Sequence, residues 1–218
     1  MNYDSVPLRD FKELNDWETV IFVYQSALKQ VETKIDILNG EFQHRHKYNP
    51  IEHVKSRIKT PESIVKKLKR HGYESIIENM VRYVNDIAGI RISCSFTSDI
   101  YLIADMISKQ NDLTILARRD YMKNPKKSGY RSYHMLVTTP VFLSDSIIDT
   151  KVEIQIRTVA QDFWATLEHK MHYKFEGDGP DYITKELREC ARYVAELDTR
   201  MEELNNEIQK YGKLSDKK

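Results

Sequence analysis

In the stretch Ile90-Arg91-Ile92-Ser93-Cys94-Ser95-Phe96 every second residue is apolar: Ile90, Ile92, Cys94 and Phe96 alternate with Arg91, Ser93 and Ser95. A period of two is that of a strand with one buried face. Val152-Glu153-Ile154-Gln155-Ile156-Arg157 repeats it, with three apolar residues opposite Glu, Gln and Arg. Such strands belong to a sheet whose apolar face is covered by helices. Between them, Thr114 to Leu116 and Tyr133 to Thr139 read as further strands, and Tyr101 to Ser108 as a connecting helix. The predicted fold class is α+β, with an unusually charged second sheet face.

Working outward, the period changes to that of a helix. From Trp17 to Leu38 apolar residues recur at three- and four-residue steps, and Gly40 reads as the stop. The chain breaks at Asn49-Pro50. Thr60-Pro61-Glu62-Ser63 then reads as a helix start, Thr60 as the cap and Pro61 at the first helical position, opening a lysine-rich helix to about Arg70. From Leu187, a stripe of Cys190, Val194, Leu197, Met201, Leu204, Ile208 and Tyr211 steps by threes and fours. It fits a helix packed on its own domain or a subunit contact. The expected organisation is a single domain over 1–218, with an N-terminal helix at about 10–48, a central core at about 49–180, a C-terminal helix at about 181–211 and a flexible tail at 212–218.

Composition removes several classes. Seven Gly and six Pro in 218 residues are too few for a linker-rich or collagenous chain, and two cysteines build no disulfide framework. The polar N-terminal residues do not form a signal peptide, and the longest apolar run, about Val20 to Tyr24, is far too short for a membrane span. A cytoplasmic protein with no membrane partner is expected. The formal net charge of +1, from 34 basic and 33 acidic residues, argues against a dedicated nucleic-acid partner.

The sum conceals a partition. His53 to Arg70 holds seven Lys/Arg against Glu62 alone, and Ala117 to His134 holds six against Asp120 alone. The balancing acid sits in Glu186 to Glu207, with seven acids and three arginines. The second basic run is interleaved with Gly129, Tyr130, Tyr133 and His134, a mixture suited to phosphate neutralisation and base stacking. Against these runs stand Asp86, just before the first core strand, and Glu153, on the polar face of a later one. A carboxylate on a face with Arg91 and Arg157 must be paired or bind metal. An ion pair from Glu153 to Arg157 or Arg91 satisfies that need. So does a Mg²⁺ site for phosphoryl transfer, which takes one or two carboxylates beside phosphate oxygens.

Ser56-Arg57-Ile58-Lys59 with Ser63-Ile64, Asp86-Ile87-Ala88-Gly89-Ile90-Arg91-Ile92, Ser128-Gly129-Tyr130-Arg131-Ser132-Tyr133-His134 and Glu153-Ile154-Gln155-Ile156-Arg157-Thr158 occur in this order. Together with Phe163-Trp164-Ala165-Thr166-Leu167-Glu168-His169 and Tyr173-Lys174, the set resembles the RelA/SpoT-type alarmone synthetase domain, in its small single-domain form. The resemblance implies a mixed, mostly antiparallel nucleotidyltransferase-like sheet with helical extensions, assembled as a homotetramer through the flanking helices. It implies transfer of the β,γ-diphosphate of ATP to the 3′-hydroxyl of GDP or GTP, with Mg²⁺ as cofactor. By that likeness Glu153 is the base, also touching Mg²⁺, and Asp86 is the main metal ligand. Arg57 lies against adenine; Lys59, Ser63, Lys67 and Arg119 hold the ATP phosphates. Tyr130 stacks on guanine, with Lys126 and His134 on the same side. Arg91, Gln155 and Arg157 bind ligand or orient Glu153.

Departures from the pattern add expectations. No His-Asp dipeptide of the kind found in hydrolase domains occurs, so synthesis without hydrolysis is expected. Ala117-Arg118-Arg119-Asp120 lacks the charge motif that sorts the long enzymes, so no preference between GDP and GTP is assigned. Glu52, His53, Lys55 and the first helix form no basic cluster, and strong activation by the product is not expected. His44 and His46, on opposite sides of a strand or loop, and His169 and His172, sharing a helix face at i,i+3 spacing, lack a third ligand for zinc. The rival readings are a nucleotide- or RNA-binding module that has lost catalysis, and a nucleotidyltransferase that releases pyrophosphate.

Overall fold

The protein is described here from a computed structural model, which covers residues 16–46, 48–174 and 181–215. The elements in chain order are α1 (Trp17–His46), β1 (Ile51–Ile58), α2 (Pro61–Arg70), α3 (Ile77–Tyr83), β2 (Ala88–Cys94), α4 (Thr97–Ser108), β3 (Thr114–Asp120), β4 (Tyr133–Phe142), β5 (Ile147–Thr158), α5 (Val159–Lys174) and α6 (Asp181–Ser215). The strands form one sheet in the order β1-β2-β5-β4-β3. β2 and β5 run parallel and every other pair antiparallel. This is the mixed, mostly antiparallel α+β sheet expected.

The alternation of β2 and β5 does what its period demands. Ile90, Ile92, Val152, Ile154 and Ile156 are buried in one core with the inner faces of α1 and α4. The other sheet face keeps its charge and carries the site. α2 starts as expected: Ser63 N donates to Thr60 Oγ1 at 3.3 Å, with Pro61 following the cap.

Three elements depart from the local reading. α1 runs past Gly40 to His46. A methyl at Gly40 would meet nothing within 4 Å, so the glycine costs only about 1 kcal/mol of helix propensity. The buried residues of α1, such as Val23, Leu28 and Val31, return about 1.5–3 kcal/mol each. His44 and His46 therefore lie on a helix rather than a strand or loop, and still face different ways. β1 has no period-two signature, because its register shifts between Ile51 and His53, and the bulge leaves Ile51, Val54 and Ile58 at helix-like spacing. The C-terminal stripe divides. Val194 packs inward with Ala191, whereas Leu197, Met201, Leu204, Ile208 and Tyr211 stay exposed. The expected tail at 212–218 is helical as far as Ser215; the remainder lies outside the described residues.

Candidate active site

Strand pairing gathers scattered residues into two adjacent rows on the polar face. Lys55, Arg91, Gln155, His134 and Arg119 stand in register across β1, β2, β5, β4 and β3. Two residues along, Arg57, Gly89, Glu153, Leu136 and Ala117 form the second row. With strands about 4.8 Å apart, each row spans about 19 Å, the reach of an extended dinucleotide-sized ligand.

Asp86 sits two residues before β2 and is gripped from both sides. Lys59 Nζ donates to its Oδ2 at 2.9 Å and Lys67 Nζ to its Oδ1 at 2.7 Å. Burial alone would raise its pKa; the hydrogen bonds and charges of Lys67 and Lys59 outweigh that and lower it to about 2. Three residues assigned from distant positions thus form one cluster. Ser63 stands at the start of α2, its hydroxyl accepting from Thr60 Oγ1. Arg57 is exposed on the edge strand β1.

Glu153 closes a ring of side chains. Arg157 Nη2 donates to Gln155 Oε1 at 2.7 Å and to Tyr130 Oη at 3.0 Å. Gln155 Nε2 donates to Glu153 Oε2 at 2.8 Å. On the other arm, Tyr130 Oη meets His134 Nε2 at 2.9 Å, and His134 Nδ1 lies 3.7 Å from Glu153 Oε1, an electrostatic contact longer than a hydrogen bond. Burial raises the Tyr130 pKa, so its hydroxyl keeps its proton. Both arms therefore run from Arg157 to Glu153. Burial pushes the Glu153 pKa up, but His134 and Gln155 outweigh it, leaving the group below its ordinary value. The charge of Asp86 acts on it in the opposite sense.

Neither ion-pair partner read from the sequence for Glu153 is used. Arg91 and Arg157 turn instead to Asp162, each 3.6 Å from its Oδ1, with Lys55 at 3.8 Å from its Oδ2. Asp162 lies in the first turn of α5 and is buried. The excess of cations on the sheet face was a signal that such an acid was needed; nothing local identified which. Lys151 also went unread. Its buried ammonium donates to Asn85 Oδ1 at 2.8 Å and to the Arg82 carbonyl at 3.1 Å, fixing the residue before Asp86, and burial lowers its pKa to about 8.

Around Tyr130 the basic loop and the aromatics meet. Lys126 Nζ lies 4.7 Å from the centre of the Tyr130 ring and 4.9 Å from that of Tyr121, and Arg157 is 5.2 Å from Tyr130. Tyr121 stands edge-on to Tyr130 and His134 and had no sequence signal. Arg119, on β3, is far from Arg57 on the opposite edge strand. With Asn85, His134 and Glu153 it lines a cavity of about 70 Å³.

Among the described residues no group of three or more His, Cys, Asp and Glu gathers. His169 is exposed, and the His172 side chain lies outside the described residues. Two hard carboxylates beside cations fit Mg²⁺, which takes one or two carboxylates and completes its shell with water and phosphate oxygens.

The comparisons with known proteins agree with this site. The family model described as the region found in RelA / SpoT proteins matches residues 56–178, which span Arg57, Asp86, Tyr130 and Glu153. GTP pyrophosphokinase YwaC of Bacillus subtilis is 45% identical over 195 residues, covering 89% of this chain and 93% of that protein. The crystal structure of small alarmone synthetase 2 from the same organism superposes with a TM-score of 0.80 at 44% identity, over 88% of this chain and 99% of that one. Small alarmone synthetase 1, bound to its product pppGpp, gives a TM-score of 0.82 at 34% identity, over 88% and 98% of the two chains. A site whose four signatures converge on one sheet face, in a chain matched along nearly the whole of these proteins, places the chain in the RelA/SpoT family, among the small alarmone synthetases.

Proposed function

We propose that this protein is a GTP pyrophosphokinase that makes ppGpp or pppGpp from ATP and GDP or GTP, and does not hydrolyse them. The observation that carries this reading is the pair of carboxylates, Asp86 gripped by Lys59 and Lys67, and Glu153 joined through Gln155 and Arg157 to Tyr130. The 3′-oxygen of the acceptor ribose attacks the β-phosphorus of ATP. The bond from that phosphorus to the bridging oxygen of AMP breaks, and AMP leaves. Glu153, ionised and aimed by Gln155, takes the hydroxyl proton. Mg²⁺ held by Asp86 and Glu153 would neutralise phosphate charge when bound.

On the donor side, Arg57 offers a flat guanidinium to adenine. Lys59 and Lys67 hold Asp86 until phosphates arrive, then exchange partners; Ser63 and Arg119 add donors. On the acceptor side, Lys126 swings from the face of Tyr130 towards the phosphates as guanine stacks there, with His134 beneath. Arg91 and Arg157, paired with Asp162, act as supports. Most of the rate gain then comes from positioning and charge neutralisation.

The test is product analysis. ATP and GTP or GDP with Mg²⁺ should yield AMP and a more phosphorylated guanine nucleotide in equal amounts. Binding without turnover would favour the inactive module, and pyrophosphate release the nucleotidyltransferase. We also propose a homotetramer in the cytoplasm. The exposed stripe from Leu197 to Tyr211 supports an interface, and the unpaired Cys94 and Cys190 suit a reducing compartment. No helix among the described residues is long and apolar enough to cross a membrane. Sedimentation as a monomer at micromolar concentration would remove the tetramer.

A further inference from the structure

The family model ends at residue 178, before α6 begins, yet α6 meets the loop that carries Tyr130. Gly129 has φ +92°, and a methyl there would lie 2.5 Å from the Ala191 Cβ, with the Arg188 backbone at 3.8 Å. Carbon atoms in ordinary contact sit about 3.5–4.0 Å apart. The loop therefore lies against the helix as closely as a residue without a side chain allows. Next to it, Tyr130 and Val194 pack on a small cluster of Trp164, Ala165 and Ala191.

Two hydrogen-bonding anchors keep α6 in place. Trp164 Nε1 donates to the Leu187 carbonyl at 2.9 Å. Asp198 Oδ2 accepts from Thr158 Oγ1 at 2.7 Å and from Gln161 Nε2 at 2.8 Å, tying α6 to the residue after Arg157. Leu187, Ala191, Val194 and Asp198 are spaced by four, three and four, so they form one face of the helix. Besides the helix, the loop is held by Arg131 Nη1 donating to the Met122 carbonyl at 2.6 Å and by Tyr130 Oη, which meets Arg157 and His134. Its turn is closed by Gly129 N donating to the Lys126 carbonyl at 2.8 Å and Lys126 N to the Tyr130 carbonyl at 3.1 Å, and β4 starts only at Tyr133.

We infer that the Ala191–Val194 segment of α6 is the positioning surface for Tyr130, and that it sets affinity for the guanine acceptor but not for ATP. The inference rests on the acceptor-side reading of Tyr130 given above. A side chain at position 129 pushes the loop off the helix and carries Tyr130 with it. Removing the Ala191 methyl restores room, although alanine at a positive φ stays strained.

The experiment is steady-state kinetics with each nucleotide varied in turn, on Gly129→Ala, Ala191→Gly and the double variant. Gly129→Ala should raise KM for the guanine nucleotide at least tenfold and leave KM for ATP within twofold. The double variant should recover at least threefold of that rise. A double variant no better than Gly129→Ala overturns the inference. If KM for ATP rises instead, and recovers in the double variant, the helix contact stands and the acceptor reading of Tyr130 fails, overturning the stated specificity. Should Gly129→Ala not fold, Ala191→Val, which adds bulk from the helix side, carries the test: a guanine-nucleotide KM raised at least threefold supports the inference, and an unchanged one overturns it.

Discussion

Replacing Glu153 by Gln should lower turnover about a thousandfold while both nucleotides still bind, because positioned general-base catalysis contributes about 10²–10⁴ to rate. The substitution keeps the size of the side chain and its place in register with Gly89 and Leu136. It keeps an oxygen able to accept from Gln155. What it removes is the capacity to take a proton. The base is well prepared for neutral pH, since His134 and Gln155 overcome the effect of burial and hold its pKa below the ordinary value of 4.5. The sign follows directly: the active form is the ionised one, present above the pKa and lost below it. The rate should therefore not fall on this group's account between about pH 8 and 5, a window that lies wholly above the ordinary Glu value. Single-turnover rates with saturating ATP and GTP measure the first effect, and a pH profile the second. A Gln variant with more than a tenth of normal turnover would remove Glu153 from the base role.

Gly89→Val should separate stability from activity. Gly89 lies in register between Arg57 and Glu153, and a methyl there would meet nothing within 4 Å. Its φ is not in the left-handed region, and a β-branched residue suits a strand. Valine should thus leave the fold intact and raise stability by about 0.5–1 kcal/mol, or about 1–4 °C in Tm for a chain of this size. On the proposed reading, the same open space lies between the donor-side arginine and the base, on the path of the transferring phosphates. An isopropyl group there should cut kcat/KM for ATP at least a hundredfold. Thermal melts and initial rates decide it together. Near-normal kinetics would mean that the substrates do not cross Gly89; a large loss of stability would mean that the space is not free.

Local patterns carried a large share of this reading. The alternation in β2 and β5 marked which sheet face is charged, because side chains of a strand must point to alternate sides. Thr60 and Pro61 marked the start of α2, because helix ends need those groups. The four signatures marked Arg57, Asp86, Tyr130 and Glu153. Where local pattern failed, a longer-range effect overrode it: the bulge that hides β1, and the buried face that carries α1 past Gly40.

By itself, then, the sequence determined the element types with strong periodicity, the charge partition and the family whose chemistry the residues fit. Only the tertiary structure decided which residues stand together. Strand order and register bring Arg57, Gly89 and Glu153 into one row, and Lys55, Arg91, Gln155, His134 and Arg119 into the next. Packing alone turned Arg91 and Arg157 to Asp162 instead of Glu153, and pressed Ala191 against Gly129. Apart from Arg157 and Asp162, five residues from each other, these are contacts between segments tens of residues apart. Their partners are selected by mutual burial and charge in the folded chain, so no window of consecutive residues contains them.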